Sequence, residues 1–337
     1  MKSFWNKLPK PFFAMAPMKD VTDVAFRALV AKRGKPDVFW TEFVSADGLY
    51  HTREIAKMPD TENPLMRDLV FSEEQRPIVA QIFSSKPEMI SYATKLAAEL
   101  GFDGVDINMG CPDRTIEKQG AGAALVKNPK LAQELIRAAK GASNLPVSVK
   151  TRVGYNRESL DGWLTALLEA GPAAITLHLR TRKELSLVKA DWELMKKAVA
   201  IRNRVNPEVL LIGNGDVSDL DDARAKVAEA GCEGAMLGKA MFGNPWVFAG
   251  IEGLRKSIIG AGLTKSEHGL DEKLEALVEL AHDFEKITPP KHFAILKKHI
   301  KAFATGFPGA AELRARLMEA ENAAELEQAI KAHISTP

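Results

Sequence analysis

Short apolar runs alternate with helical periods eight times before about residue 250. The runs fall at 12–17, 37–43, 77–83, 103–108, 146–151, 173–178, 208–214 and 234–238, and each predicts a strand. Several are apolar throughout, Val209-Leu-Leu-Ile212 among them, as strands covered on both faces of a parallel sheet are. Helical patterns fill the gaps, for instance Pro87–Leu100, Pro129–Gly141 and Asp219–Gly231. The last two close on glycine, a common helix stop. Eight β/α units in about 250 residues predict an α/β fold of the TIM (β/α)8 barrel type. A doubly wound sheet rarely needs eight such regular units, and no Gly-x-Gly-x-x-Gly fingerprint follows the first strand.

The pattern changes after residue 250. Ser257–Gly269 is loop-like and carries three glycines. From Leu270 only helical periodicity remains, at 270–287, 290–305 and 309–334. The predicted organisation is a barrel over 1–250, a linker over 251–269 and a small all-helical C-terminal domain over 270–337.

Composition narrows the function classes. The chain has 337 residues, 46% of them apolar, enough for a sizeable core, and a net charge of only +2. Any nucleic-acid surface must then be a local patch. Two cysteines, Cys111 and Cys232, argue against a disulfide scaffold and for a reducing compartment. Met1–Pro11 has lysines and prolines but no apolar core, so it does not read as a signal peptide. No apolar run is long enough to span a bilayer. The seven histidines lack metal-ligand spacing, so no metal is expected. A soluble, cytoplasmic protein is expected. In the absence of a heptad or long apolar stripe, it is expected to be monomeric.

Barrel chemistry sits at the C-terminal strand ends, and the unusual residues collect there. The predicted strands end in Ala16-Pro17-Met18, at Glu42, with Gln81, at Asn108 with Cys111 beyond, at Lys150 and Arg152, at His178 with Arg180 next, in Gly213-Asn214-Gly215-Asp216, and in Gly238-Lys239. The last two loops outline a phosphate site, with glycines for close backbone approach and Lys239 for charge. The amides of Gln81 and Asn108 bond both donors and acceptors, as an isoalloxazine edge requires. The ligand inferred is FMN. Its pyrimidine end meets Gln81 and Lys150, and its phosphate meets Asn214–Asp216, Gly238 and Lys239; Ala16, Pro17, Met18, Asn108 and His178 complete the cofactor set. Cys111 sits on a turn between Gly110 and Pro112, exposed and aimed. Cys232, in Gly231-Cys-Glu-Gly, reads as a buried small hydrophobe.

The motifs together resemble the bacterial tRNA-dihydrouridine synthases from about Phe12 to Arg316. They include Ala16-Pro-Met18 with Asp20 and Thr22, Thr41-Glu42, Asp106-Ile-Asn-Met-Gly-Cys-Pro112 followed by Gly120-Ala-Gly-Ala123, Lys150-Thr-Arg-Val-Gly154, His178-x-Arg180-Thr181, Asp191-Trp192, Gly213-Asn-Gly-Asp216, Gly238-Lys-Ala and Asn244-Pro-Trp246. In the tail, Lys298-His299, Gly306 and Arg314 match as well. The resemblance implies an FMN-bound barrel, a helical tRNA-binding domain, NADPH as electron donor and reduction of uridine C5=C6 in tRNA. It makes Cys111 the general acid that protonates C5, a task for a neutral thiol. Glu42, Arg152 and Arg180 then face the substrate. Two places depart from the pattern: Leu179 stands where the family usually carries glycine, and Lys183–Val188 lacks the Tyr and Gly common there.

The tail patch is local. Residues 289–316 hold Lys291, Lys297, Lys298, Lys301, Arg314 and Arg316 against Glu312 alone. Phe293, Leu296, Ile300 and Phe303 form an apolar stripe, and Lys291, Lys298 and Lys301 fall off it. With Arg314 these are the expected phosphate contacts, and only the resemblance makes tRNA the preferred partner. Two other readings stand beside it: an FMN barrel reductase of a small pyrimidine or enone, akin to dihydroorotate dehydrogenases, and an RNA-binding protein without catalysis.

Overall fold

In the computed structural model, residues 3–251 and 268–334 are described, so most of the expected linker at 251–269 lies outside the described residues. Among the described residues nine strands form one parallel sheet: β1 Phe12–Met15, β2 Phe39–Trp40, β3 Val44–Ser45, β4 Ile78–Phe83, β5 Gly104–Met109, β6 Val147–Arg152, β7 Ala174–His178, β8 Leu210–Asn214 and β9 Gly234–Leu237. Their order is β1-β9-β8-β7-β6-β5-β4-β2, with β3 also on β4. A parallel bridge between Ala14 and Val38 joins β1 to the chain entering β2 and closes the ring. The fold is a TIM-type barrel with a helical C-terminal region.

The strand expected over 37–43 is broken at Thr41–Phe43. Thr41 Oγ1 accepts the backbone N–H of Gln81 at 3.1 Å, so a side chain stands in for a backbone acceptor of the ladder. The chain resumes pairing only at Val44.

Alternation along the strands divides the barrel into two shells. Outward residues such as Val147, Val149, Ile107 and Leu177 pack under the surrounding helices in the main core. Inward residues fill the barrel. Its lower half is an apolar plug of Phe12, Ala14, Trp40, Val79, Ala174, Ile212 and Met236, with Trp5 from the turn Phe4–Lys7 against it. Above the plug the inward positions turn polar, in register across neighbouring strands: Gln81 beside Asp106, Asn108 beside Lys150, and His178 beside Asn214. This change of character along each strand creates the site.

The expected helices form. Pro87–Glu99 starts on proline, and Asn128 caps Pro129–Ala142 by accepting from Leu131 N at 3.2 Å. Leu220–Ala230 ends on Gly231 at φ +71°, whereas the helix expected to stop at Gly141 runs on through Ala142.

The tail forms Leu270–Glu285, Lys297–Phe303, Ala310–Glu319 and Ala323–Ile334. The stretch expected as one helix over 290–305 begins as a 3₁₀ turn, Phe293–Leu296, because His292 Nδ1 accepts Ala294 N. The stretch expected over 309–334 breaks before Ala323. There Asn322 accepts Glu325 N at 2.9 Å and Glu325 accepts Glu321 N at 2.8 Å, a reciprocal cap. Leu277, Phe284, Leu296, Ile300, Leu313 and Leu326 belong to the same apolar core as the barrel's outer shell. Lys32 and Arg33 of helix Val24–Gly34 pair with Glu279 at 2.5 and 2.7 Å. No helix among the described residues is long and apolar enough to cross a membrane.

Candidate active site

A cavity of about 240 Å³ opens at the C-terminal strand ends, close to the lower end of small-molecule sites at ~300 Å³. It is lined by Ala16, Pro17 and Met18 after β1, Lys150 of β6, His178 and Arg180 at β7, Asn214, Gly215 and Asp216 at β8, and Gly238 and Lys239 after β9. Ser186, from the divergent loop, Val217 and Met236 complete the wall.

The lining suits an anionic ligand. Lys150 and Lys239 face it, and Asp216, the one lining carboxylate among the described residues, is neutralised by Arg180. Arg180 Nη2 donates to Asp216 Oδ2, which also accepts Ala190 N at 2.8 Å, and the guanidinium holds that carboxyl below its ordinary range. Gly215 sits at φ +124°, and a Cβ there would lie 2.8 Å from Ala190 Cβ. Gly238 is different: a Cβ would meet Ala16 Cβ at 3.5 Å and Met18 Sδ at 3.7 Å, ordinary contacts with the cavity wall. Packing within the chain leaves room at Gly238 that a ligand can fill. Gly213, expected to allow ligand approach, is glycine for another reason. Its Cβ would sit 2.3 Å from the Trp192 ring, whose Nε1 donates to Gly215 O at 2.9 Å.

Lys150 Nζ donates to Asn214 Oδ1 at 3.2 Å, and Asn214 Nδ2 to Met236 O at 2.8 Å. Burial, helped by Arg152 nearby, lowers the Lys150 ammonium to about 8. Arg180 Nη1 lies 3.1 Å from His178 Nε2. A guanidinium only donates, so Nε2 accepts and the imidazole is neutral with its proton on Nδ1. Burial among Lys150, Arg152 and Arg180 pushes its pKa far below the ordinary range.

Beside the cavity, a hydrogen-bond chain runs to Cys111. Asp106 accepts Ser148 Oγ at 2.6 Å and Gln81 Nε2 at 2.7 Å. Gln81 Oε1 accepts Asn108 Nδ2 at 3.1 Å, and Asn108 Oδ1 accepts Cys111 N at 2.9 Å. Burial raises Asp106 to about 6 against the bonds from Ser148 and Gln81. Asp106 was not singled out from sequence as a site residue. The usable signal was its place two residues before Asn108, on the same strand face. Gly122, at φ +60°, packs under the cysteine turn; a Cβ would sit 2.7 Å from Cys111 O. The half-buried thiol borders Phe83, Ile116 and Ala121. Burial raises its pKa, with the Asp113 amide pulling the other way. Cys232 is buried, as expected.

The expected substrate contacts divide. Arg152 is buried and donates to three backbone carbonyls: Gly110 at 2.9 Å, Thr181 at 3.0 Å and Leu185 at 2.9 Å. It ties the cysteine turn to the divergent loop. Arg180 donates to Val188 O at 2.7 Å and holds the loop's far end. Glu42 and Lys291 do not face solvent. Their side chains are 0% and 1% exposed and lie 2.5 Å apart, because Lys291 turns inward from the tail to meet the carboxylate. Lys291 is therefore closed off from a phosphate in this arrangement, contrary to the expectation. Lys298 and Lys301 are exposed. Arg314 donates to Ala304 O at 2.9 Å and closes the C-terminal end of helix Lys297–Phe303. Among the described residues no cluster of His, Cys, Asp or Glu has the make-up of a metal site.

Comparison with known proteins places the chain in a family. The family described as "Dihydrouridine synthase (Dus)" matches residues 14–336. A protein of Bacillus subtilis (strain 168) named "Probable tRNA-dihydrouridine synthase 2" is 39% identical over 96% of this chain and 94% of its own length. "Probable tRNA-dihydrouridine synthase" of Staphylococcus aureus (strain MRSA252) is 37% identical over 96% and 93%. Among solved structures, histamine dehydrogenase from Rhizobium sp. 4-9 superposes with a TM-score of 0.53 at 14% identity, over 81% of this chain. The chain spans about half of that enzyme, 49%, and the likeness is one of fold. With a family match over nearly all of its length and relatives well above 30% identity, the chain belongs to the dihydrouridine synthase family.

Proposed function

We propose that this protein is a flavin-dependent tRNA-dihydrouridine synthase, reducing the C5=C6 bond of uridine in tRNA. The observation that carries the reading is the meeting, at one barrel rim, of a cationic cavity with a glycine open toward it and a cysteine on a rigidly held turn. The site fits FMN. Asn214, Gly215, Asp216, Gly238 and Lys239 would hold its phosphate; Lys150 and His178 would meet its ring, with the Gln81–Asn108 pair bonded to each other behind the lining; Ala16, Pro17 and Met18 would wall one side. When bound, the flavin supplies hydride for C6 of the uracil ring and is reduced again by NADPH.

The chain's own residues do the rest. Cys111 Sγ carries the proton that C5 needs once C6 is reduced, and the thiol stays protonated near neutral pH because burial raises its pKa. Lys150 is a cation on the same rim, placed to stabilise negative charge on the uracil carbonyls, while Arg180 is held by Asp216, His178 and Val188 O. A uracil inside an RNA stack cannot reach a cavity at this depth, so the base must be extruded. Lys298 and Lys301 lie outside the barrel, where tRNA phosphates can meet them, and the two relatives are both named for tRNA.

The test is direct. Purified protein, given FMN and NADPH, is incubated with tRNA lacking dihydrouridine and separately with free uridine. Dihydrouridine in tRNA, with little turnover of the free nucleoside, is the expected result. Failure to take up FMN overturns both enzyme readings. Preference for free uridine overturns the tRNA assignment.

A further inference from the structure

A buried charge cluster lies between the barrel and the tail, and nothing in the reaction uses it. Lys291 Nζ is 2.5 Å from Glu42 Oε2 and 3.3 Å from Asp68 Oδ1. Lys19 Nζ is 2.5 Å from Asp68 Oδ2. The second oxygen of Glu42 accepts the backbone amide of Asp20. Burial works against the Lys291 ammonium, yet Glu42, Asp68 and Asp23 outweigh it and hold the group protonated.

The cluster ends at the cavity wall. Asp20 takes a φ of +57°, a conformation that few non-glycine residues adopt without support. That support comes from the tail. Besides Lys291 acting through Glu42, Lys298 Nζ lies 3.3 Å from Asp20 Oδ2, and His299 Nε2 donates to Val21 O at 3.1 Å. Thr22 Oγ1 accepts Met18 N at 2.9 Å, so the turn from Met18 to Thr22 is one hydrogen-bonded unit. A displacement of Asp20 therefore carries Met18, which lines the cavity. Burial already raises the Glu42 pKa and Lys291 pulls it back down, so removing the Lys291 ammonium forces Glu42 to take up a proton or to move, and either weakens its hold on the Asp20 amide.

We propose that Glu42 and Lys291 are positioning residues: their buried pair transmits the placement of the C-terminal helices to the Ala16–Met18 wall and so sets cofactor retention and turnover. This rests on the flavin-dependent reading above. The family resemblance makes Lys291 a contact to RNA phosphate, and the two roles give opposite results.

The experiment compares wild type with Lys291→Met and with the double variant Lys291→Met/Glu42→Gln, which removes both charges of the pair. Hydrogen exchange over residues 16–23 is read without flavin. FMN affinity, kcat and KM for tRNA, and tRNA binding across a salt series are read alongside. In Lys291→Met the Asp20 and Val21 amides exchange faster, FMN binds about tenfold more weakly and kcat falls, while tRNA affinity and its salt slope hold. The double variant recovers part of the protection and of the FMN affinity; if the single variant does not fold, the double variant must show faster exchange than wild type. Unchanged exchange and FMN affinity in either variant overturn the proposal, whether or not tRNA binding weakens. The exchange readout needs neither flavin nor tRNA, so failure of the pair is distinguishable from failure of the functional reading.

Discussion

The side chain of Asn108 holds the backbone of Cys111: its Oδ1 accepts the Cys111 amide at 2.9 Å and the Gly110 amide at 3.1 Å. Its Nδ2 is in turn spent on Gln81, which is bonded to Asp106. Asn108 is thus fixed at both ends, and the cysteine turn inherits that rigidity. Asn108→Ala removes two bonds to the turn and one to Gln81. The expected outcome is a kcat on tRNA reduced by about 10²-fold, the scale on which a displaced catalytic group loses rate. Cys111→Ala is expected to keep FMN and its reduction by NADPH while losing dihydrouridine formation. Single-turnover flavin spectra with and without tRNA separate the two steps, and full activity in Cys111→Ala removes the thiol from the mechanism.

The pKa of that thiol gives a second prediction. Burial raises it above the ordinary cysteine range, so the thiolate is scarce at pH 7–8. Alkylation of Cys111 by iodoacetamide should be slow at neutral pH and accelerate only in the alkaline range. Fast labelling at pH 7 would mark a nucleophile and count against a proton donor. Cys232, buried and raised to about 11, serves as the internal control.

Much of this was legible in the sequence, for a physical reason. Strands sandwiched between a plug and an outer helix layer read as apolar runs. The polar residues that follow, Lys150 or Asn214, mark where the plug ends and the site begins. What was hidden depends on partners distant in the chain. Lys291 sits on an amphipathic stretch whose charges ordinarily face water, and its carboxylate partner comes from the second β/α unit. Gly213 resembles a phosphate-loop glycine, yet the Trp192 ring is what excludes a side chain there. The break before Ala323 falls within an uninterrupted apolar period, and only the Asn322–Glu325 cap reveals it.

Gly213→Ala tests that distinction. Its Cβ would meet Trp192 Cη2 at 2.3 Å and Cζ3 at 2.4 Å, too close for the ring to stay. Overpacking of this kind costs about 1–3 kcal/mol. Trp192 also holds Gly215 O, so the phosphate cradle shifts with the ring. A lower melting temperature together with weaker FMN binding is expected. Adding Trp192→Leu should return part of the stability. A fully stable Gly213→Ala protein would refute the packing account.

His299 gives the molecule an acid limit. Its Nε2 donates to Val21 O, which leaves Nδ1 as the site of protonation, buried and without a partner. The ring lies between Phe26 and Phe242, with centroids 4.5 and 6.2 Å away. Burial lowers its pKa from 6.5 to about 4, with Lys298 acting in the same direction. The unfolded chain therefore binds more protons between those values, and stability falls as pH drops through about 6.5 toward 4. The contribution is at most about 3 kcal/mol. His299→Gln can still donate to Val21 O but cannot titrate. Its stability should decline less steeply over that window in denaturant melts, and an unchanged slope would exclude His299 as the source.

The exposed tail lysines are separable from the buried one. Lys301 is exposed on helix Lys297–Phe303, on the same short segment whose inward side carries Ile300 and Phe303 into the core. Each phosphate contact contributes about one unit to the salt dependence of binding. Lys301→Ala should therefore weaken tRNA binding and flatten log K against log salt by about 1, with FMN affinity and stability unchanged. Arg314→Ala is predicted to act through structure: its bond to Ala304 O closes a helix end, so stability should fall along with binding. Were Lys301→Ala to leave the salt slope intact, the RNA would have to approach the rim from another side. The next charges to test would then be Lys183 and Lys189, exposed on either side of the loop whose Ser186 lines the cavity.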